Sequence, residues 1–461
     1  MARYIKMRIF YTWLALIMLQ AISPGVSASQ HKEAKLKAVA SHQSSLASRA
    51  KAPDVLISFD NDGGTKYAIV VEKDTQQLLV YSYDDSFKEM YRFKCSTGEV
   101  AGGKSRSGDK KTPEGVYFFT HGYKKRDLSP TYGTMAFPID YPNFFDRIEG
   151  CKGYSIWLHG TDKPIKPRNS NGCVVLANND INRLAKYIDL NRTPIIIVDK
   201  LSFVSADNNN GIKNSILKLI SQWKDALENG TCHEYLNSYS DEYAPDILWW
   251  SDWAGIKKSF QASQLELSVE LKRNSIFRHN GIYMILFDQI VSSSGINLLV
   301  GRKKLYVSDT EGRFRIVGEE YQSVSKRHNS SKQKYPLVAA SCNLKSTLEG
   351  KYEIEDLIDG WLKAWSDRDI RRYGKYYANN FRSRGMNLRS WLKYKNRLNR
   401  EYKFINVSKD KLVIKKGKKR AEASFVQTYE SNVFEAVGIK RLILIREKGL
   451  WKIYRETCKN L

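Results

Sequence analysis

A chain of 461 residues, 42% apolar and 12% aromatic, carries enough core-forming material to exclude an intrinsically disordered protein, and its length implies about two to four domains. The formal charge of +26 points to anionic partners. Six widely spaced cysteines and seven histidines fit no zinc spacing, so no metal and no organic cofactor is expected.

The first 28 residues read as a signal peptide. Arg3, Lys6 and Arg8 precede an apolar run from Ile9 to Ile22, Pro24-Gly25 breaks it, and Val26-Ser27-Ala28 offers a small-x-small cleavage site. That run is shorter than the roughly 20 residues of a spanning helix, so the chain is expected to be exported, to the periplasm or cell envelope, with a retained N-terminal anchor as the alternative to cleavage. Export in turn argues against nucleic acid as the partner of the basic surface. Residues 29–52, rich in Ser, Ala and Lys, read as a flexible basic tether.

Residues 53–200 change to short β-branched and aromatic runs. Tyr67–Lys73 and Gln77–Tyr83 read as a strand pair around an Asp74-Thr75 turn, Gly115–Thr120 as a further strand, and Pro194–Asp199 as the last. Asn179-Asp180 can cap a helix over Ile181 to Leu190 with Ile181, Leu184 and Ile188 on one face. Inside this domain an apolar run ends at His159-Gly160, a polar loop follows, and the chain returns at Ser170-Asn171-Gly172-Cys173. Thiol chemistry needs a base within hydrogen-bond reach, because the thiolate is the nucleophile. A loop that leaves at a His and returns at a Cys can supply it. The glycine before the cysteine suits close backbone approach and an oxyanion hole of N–H groups. His121 is the one rival base in the domain.

The spacing His-Gly-(loop)-Ser-x-Gly-Cys resembles the signature of the L,D-transpeptidase catalytic-domain (YkuD) family. Two other stretches are similar to it: Cys95-Ser-Thr-Gly98 with Lys111-Thr-Pro-Glu-Gly-Val-Tyr117, and Tyr132-Gly-Thr-Met-Ala-Phe137 with Asp140-Tyr-Pro-Asn143, the latter close to the branch with cell-shape L,D-carboxypeptidases. The resemblance implies Cys173 as nucleophile, His159 as general acid/base and the Gly160 carbonyl as the group orienting the imidazole. Ser170, Asn171 and Gly172 would form the oxyanion loop. It implies a thioester acyl-enzyme formed on peptidoglycan stem tetrapeptides, in cell wall organisation, with an amine acceptor. L,D-carboxypeptidation, with water as acceptor, and an inactive wall-binding scaffold are the alternatives. Val175 departs from the family, which often has Arg or Asn two residues after the cysteine. Thr112-Pro-Glu-Gly115 reads as a turn without chemistry. A Cys95–Cys151 disulfide stays open.

After a linker at 201–212, Ile220, Trp223, Ala226, Tyr235, Tyr239, Tyr243 and Trp253 recur 138 positions on as Ile358, Trp361, Ala364, Tyr373, Tyr377, Phe381 and Trp391. Lys303, Leu305, Gly312 and Ile316 recur 137 positions on as Lys440, Leu442, Gly449 and Ile453. This gives an α+β repeat at 213–322, a linker at 323–349 and a second, basic repeat at 350–461, each with helices first and antiparallel strands after. Both resemble nuclear-transport-factor-2-like domains, on Trp361–Phe381 and on Trp451-Lys-Ile453 in particular. The expected fold is therefore multidomain: a mostly-β L,D-transpeptidase catalytic domain followed by two tandem cone-like α+β domains. Residues 350–461 hold 28 Lys and Arg against 13 Asp and Glu, which suits an anionic wall polymer or membrane surface. Lys415–Arg420 reads as a hairpin turn. The aromatic stripe reads as core, and residues 213–461 as a docking unit apart from the bond chemistry.

Overall fold

The computed structural model describes residues 51–60, 63–64, 66–310, 312–322, 334–417 and 419–461. The signal peptide and nearly all of the expected tether lie outside them. The two tether residues that are described, Lys51 and Ala52, belong to a strand, β1 (Lys51–Pro53).

Two sheets build the catalytic domain. The first comprises β3 (Tyr67–Glu72), β4 (Gln77–Asp84), β5 (Ser86–Lys94), β6 (Gly115–Phe118) and β11 (Pro194–Val198), in the order β5-β4-β3-β11-β6. The second comprises β7 (Tyr123–Lys124), β8 (Met135–Pro138), β9 (Trp157–Thr161) and β10 (Val174–Ala177), in the order β10-β9-β8-β7. β9 and β10 run parallel. The crossover between them is the His-to-Cys loop. Helix α1 (Phe144–Ile148) starts at an Asn143 capping box, and α2 (Asn178–Leu184) follows β10 directly. Ile181 and Leu184 of α2 are fully buried against the second sheet. This helix begins at Asn178, one residue ahead of the expected Asn179-Asp180 cap, and its last turn tightens to a 3-10 helix over Ala185–Tyr187.

One core lies between the two sheets, with Ile69, Val71, Leu78, Val80, Ile195 and Ile197 contributed by the first. The opposite face of the first sheet forms a second core, shared with the next domain across the boundary expected at residue 200. Val70, Leu79, Val116, Phe118, Ile196 and Val198 pack against Phe277, Met284, Leu286 and Tyr306 of the next domain. The first sheet is thus covered on both faces, which is why β11 is apolar at every position. The boundary at residue 53 shifts: β2 (Leu56–Phe59) leaves the catalytic domain and joins the sheet of the first repeat.

That repeat consists of β12 (Phe203–Ser205), which pairs with β1, then α3 (Ala206–Glu228), α4 (Cys232–Leu236) and α5 (Trp250–Ala262). The antiparallel strands β13 (Ser268–His279), β14 (Ile282–Ser293), β15 (Ile296–Thr310) and β16 (Arg313–Tyr321) complete it. The sheet order is β16-β15-β14-β13-β2. The expected linker at 201–212 is instead β12 and the opening turns of α3. Asn209 is buried there, and its amide donates to the Leu56 carbonyl at 3.0 Å, so a tertiary contact overrides the loop preference of the Asn run. The second repeat has α6 (Pro336–Ser366), α7 (Ile370–Gly374), the short β17 (Arg382–Ser383) and β18 (Met386–Asn387), and α8 (Leu388–Glu401). β19 (Ile405–Lys416), β20 (Arg420–Ser431), β21 (Glu435–Glu447) and β22 (Leu450–Asn460) form its sheet in sequence order. The expected linker at 323–349 is helical from Pro336, because α6 runs through it and places Leu337, Leu344 and Leu348 in the core of the first repeat. Lys415 and Lys416 end β19 and Arg420 opens its antiparallel partner β20.

The duplicated aromatic stripe is core, tied by polar contacts that repeat as well. Trp223 donates its indole N–H to the Tyr239 hydroxyl at 2.9 Å, and Trp361 does the same to Tyr377 at 2.9 Å. In the first repeat Trp223 and Tyr235 also bound a cavity of about 140 Å³ together with Lys303 and Glu319.

Candidate active site

His159 sits at the middle of β9, opposite Ala136 of β8 and Val175 of β10, and is 7% exposed. Its Nδ1 lies 2.8 Å from the Gly160 carbonyl oxygen, the geometry of a donated N–H. The Tyr132 ring meets the imidazole edge-on at 5.0 Å, and Tyr132 in turn packs on Trp157 at 4.8 Å. Position 160 has to be glycine, since a Cβ there would lie 2.5 Å from Asn178 Oδ1 and 2.9 Å from Ile181 of α2. Burial pushes the His159 imidazole below its ordinary range, only partly offset by the bond to Gly160.

Cys173 ends the crossover loop immediately before β10. Its thiol points at the Ser155 carbonyl at 3.8 Å. Packing pushes the thiol up, while a backbone contact at Trp157 and the Lys104 charge pull it back down. Gly172 has φ +120, and a Cβ on it would lie 2.7 Å from the Lys111 carbonyl. The glycine is therefore required by its own conformation and by the neighbouring loop. Ser170 Oγ accepts from the Gly172 N–H at 3.1 Å and donates to the Cys173 carbonyl at 2.6 Å, closing a small turn under the thiol. The Gly172 N–H is thus committed to Ser170, which leaves the Cys173 N–H as the better oxyanion donor of the two.

His159, Cys173, Ser170 and Asn171 line one open cleft of about 510 Å³, whose walls include Tyr132, Val175, Lys163 and Lys166. Gly160 and Gly172 lie behind it as backbone supports. His121 does not line the cleft; it is exposed and packs on Tyr123 at 4.4 Å. All six cysteines are free, and burial pushes the Cys95 thiol up to about 12. The Cys95–Cys151 disulfide left open by the sequence is not formed.

The loop rests on residues to which the sequence assigned no role. Thr112 Oγ1 accepts from the Gly98 N–H at 2.8 Å and donates to the Gly172 carbonyl at 3.0 Å. The Ser96 N–H and Val175 exchange backbone bonds at 2.9 Å in both directions, and Ser96 Oγ accepts from the Asn169 N–H. Gln76 Oε1 accepts from the N–H groups of Thr97 and Arg168 at 3.0 and 2.8 Å. The Cys95–Gly98 and Lys111–Gly115 stretches, which looked like parts of a signature, are therefore the bed of the His-to-Cys loop.

This architecture defines an L,D-transpeptidase catalytic domain with nuclear-transport-factor-2-like domains behind it. Residues 66–197 match the L,D-transpeptidase catalytic domain, YkuD, and residues 215–320 and 353–457 each match the Cds6 C-terminal NTF2-like domain. Among curated proteins, a candidate L,D-transpeptidase of Escherichia coli K12, YafK, is 28% identical over 127 residues, which is 27% of this chain and 48% of the relative. The chain thus spans about half the length of the curated relatives it matches. Among solved structures, Bdellovibrio bacteriovorus Bd1075 is 20% identical with a TM-score of 0.34, over 89% of this chain and 99% of that one. The helical cell shape determining protein Pgp2 of Campylobacter jejuni is 26% identical with a TM-score of 0.46, over 58% of this chain and 94% of that one.

Proposed function

We propose that this chain is an exported peptidoglycan-modifying cysteine L,D-transpeptidase acting on stem tetrapeptides. The observation that carries the reading is the shared cleft. His159 is pinned through Nδ1 to the Gly160 carbonyl, which leaves Nε2 for the Cys173 thiol that lines the same wall. Burial raises the Cys173 thiol and lowers the His159 imidazole, which favours the neutral form of each before the proton is passed between them. The Cys173 sulfur attacks the carbonyl on the L-centre of the third stem residue while His159 takes the thiol proton. The tetrahedral oxyanion is met by the Cys173 N–H. Collapse forms the thioester and releases the terminal D-amino acid, whose amine takes the proton back from His159. An acceptor amine then attacks the thioester, again with His159 as base, and the thiol is restored.

L,D-carboxypeptidation is the second reading. Val175 forms part of the cleft wall where a guanidinium or amide could otherwise orient an incoming chain, and an apolar side chain makes no such contact. Water needs no orientation of that kind. The inactive-scaffold reading is opposed by the presence of both Cys173 and His159. The basic second repeat supports contact with an anionic wall polymer or membrane surface, and not with nucleic acid. Purified tetrapeptide muropeptides incubated with the full chain and followed by mass spectrometry test the reading. Crosslinked products are expected, whereas tripeptide alone would favour hydrolysis. Cys173→Ala should abolish both, and Cys95→Ala and Cys151→Ala neither. Turnover retained by Cys173→Ala would overturn the assignment.

A further inference from the structure

The loop from Gly102 to Lys111 is built around a carboxylate. Asp109 accepts from the N–H groups of Ser105, Arg106 and Lys111 and from Lys104 Nζ at 2.6 Å. These bonds hold its carboxyl well below the usual range. The Lys104–Asp109 pair is almost completely buried, with side chains 4% and 5% exposed. A solvated loop has no need of a buried ion pair, which costs desolvation on both members. Its position supplies a reason. Lys104 packs on the back of Gly153, where an added Cβ would lie 3.1 Å from Lys104 Cε and 3.8 Å from Nζ. The Lys152 N–H is bound to the Ser105 carbonyl at 2.9 Å, so the two segments are tied. Two residues after Gly153, the Ser155 carbonyl faces the Cys173 thiol, with Ser155 itself held at φ 62. Lys104 thus lies against one end of the Gly153–Ser155 segment, and the thiol meets the other end. Among the described residues, the cations that line the cleft itself are Lys163 and Lys166 of the crossover loop.

We propose that Lys104 is a positioning residue for the Cys173 nucleophile, a buried cation fixed by Asp109 that favours the thiolate through the Gly153–Ser155 backbone. It touches neither substrate nor sulfur and acts by its charge alone. The ammonium is held by Asp109 and by the Arg106 carbonyl at 3.0 Å while lying against Gly153, and the Asp109 carboxylate is in turn stabilised by three N–H groups of its own loop. The inference rests on Cys173 being the nucleophile, but its test does not.

The rate of iodoacetamide alkylation of Cys173, read on its own peptide by mass spectrometry in the full chain, gives the thiol titration directly. Lys104→Met should move the midpoint of that pH profile up by about one pH unit and slow alkylation at neutral pH about tenfold. Lys104→Arg should restore the midpoint. Because Lys104→Met strands Asp109, the paired Lys104→Met/Asp109→Asn chain is the control: its amide oxygen can still accept from the Ser105 and Arg106 N–H groups, both charges are removed, and the upward shift should persist but be smaller than in Lys104→Met alone. An unchanged midpoint in the paired chain would overturn the proposal, and so would an Arg chain that behaves like Met. Retained turnover in Cys173→Ala would instead refute the catalytic assignment while leaving the titration result standing.

Discussion

A chain ended after Lys200 should not fold as a soluble domain, although the sequence led to the expectation that the catalytic domain stands apart from the two repeats. Truncation uncovers the outer face of the first sheet, where Val70, Leu79, Tyr81, Val116, Phe118, Ile196 and Val198 are each between 0% and 7% exposed. Neighbouring strands would still shade part of each side chain, so about half of the usual burial energy is lost, roughly 1–1.5 kcal/mol apiece and 7–10 kcal/mol for the seven. That is comparable with the entire stability of a domain, about 5–15 kcal/mol. Polar anchors go too: Asp140 loses Lys304, whose side chain is 2% exposed, at 2.8 Å, and Arg192 loses Asp288 at 3.3 Å. β2 is left without its partner strand. The assay is side by side: soluble yield, near-ultraviolet circular dichroism and binding of a hydrophobic dye for the truncated and full chains. A monomeric truncated domain with a cooperative melt close to that of the full chain would refute the reasoning.

His159→Ala should slow acylation about 10²–10⁴-fold, the usual worth of general acid–base catalysis, while His121→Ala leaves it unchanged. Burial favours the neutral imidazole, so the acidic limb of the pH–rate profile should lie below about 6.5, the ordinary histidine value; a limb above it would count against His159 as base. Thr112→Val deletes the hydroxyl that joins Gly98 to the Gly172 carbonyl, and should cost about 1–3 kcal/mol of stability and lower kcat more than it raises KM. Equal loss in both constants would point to a general loosening of the cleft. Asp146, buried beside Tyr117, has its carboxyl raised to about 6, chiefly by burial. The folded state therefore holds this proton more tightly than the unfolded one. The contribution, about 3 kcal/mol, is complete below about pH 4 and lost as pH rises through 6. Asp146→Asn should remove that slope from urea-denaturation midpoints between pH 4 and 7; a parallel pair of curves would refute it.

The proposed pair stands out in the sequence because both members carry their chemistry in their own short segments. His159 precedes a glycine, Cys173 follows one, and the parallel strands at each end of the loop bring them into register. The support of that loop was not legible. Thr112 acts on Gly172 across 60 positions and Gln76 on Arg168 across 92, and no local pattern marks a threonine or glutamine for such a contact. The continuous apolar run Ile195–Ile197 does announce a strand buried on both faces, but periodicity does not say what lies on the second face. Helix α3 was missed at its start for a related reason. Asp207 to Asn210 favour turns in isolation, and it is the bond from Asn209 to Leu56, 153 positions away, that supports helix there.

The two repeats share their interior and differ on their outer face, and that difference decides which copy sits against the catalytic domain. Inside each cone a lysine and a glutamate pair beneath a tryptophan: Lys303 with Glu319 at 3.0 Å, and Lys440 with Glu456 at 3.4 Å. The ammonium groups lie 5.6 and 5.3 Å from the rings of Trp223 and Trp361. Tyr239 and Tyr377 each donate a hydroxyl to the glutamate of their own copy. Such a buried set is expensive to change one member at a time, which accounts for its duplication as a unit. On the outer face, the repeat register sets Glu422, Ser424 and Ile443 where the first copy has Met284, Leu286 and Tyr306. Glu422 is paired there with Arg441 at 2.6 Å, both in contact with solvent. Pressing that pair against Val116 and Phe118 would strip its water without offering a new partner, a cost of several kcal/mol. The apolar triad of the first copy carries no such cost. The seam is therefore specific to the first repeat by its residue types, and sequence distance along the chain is not needed to explain it.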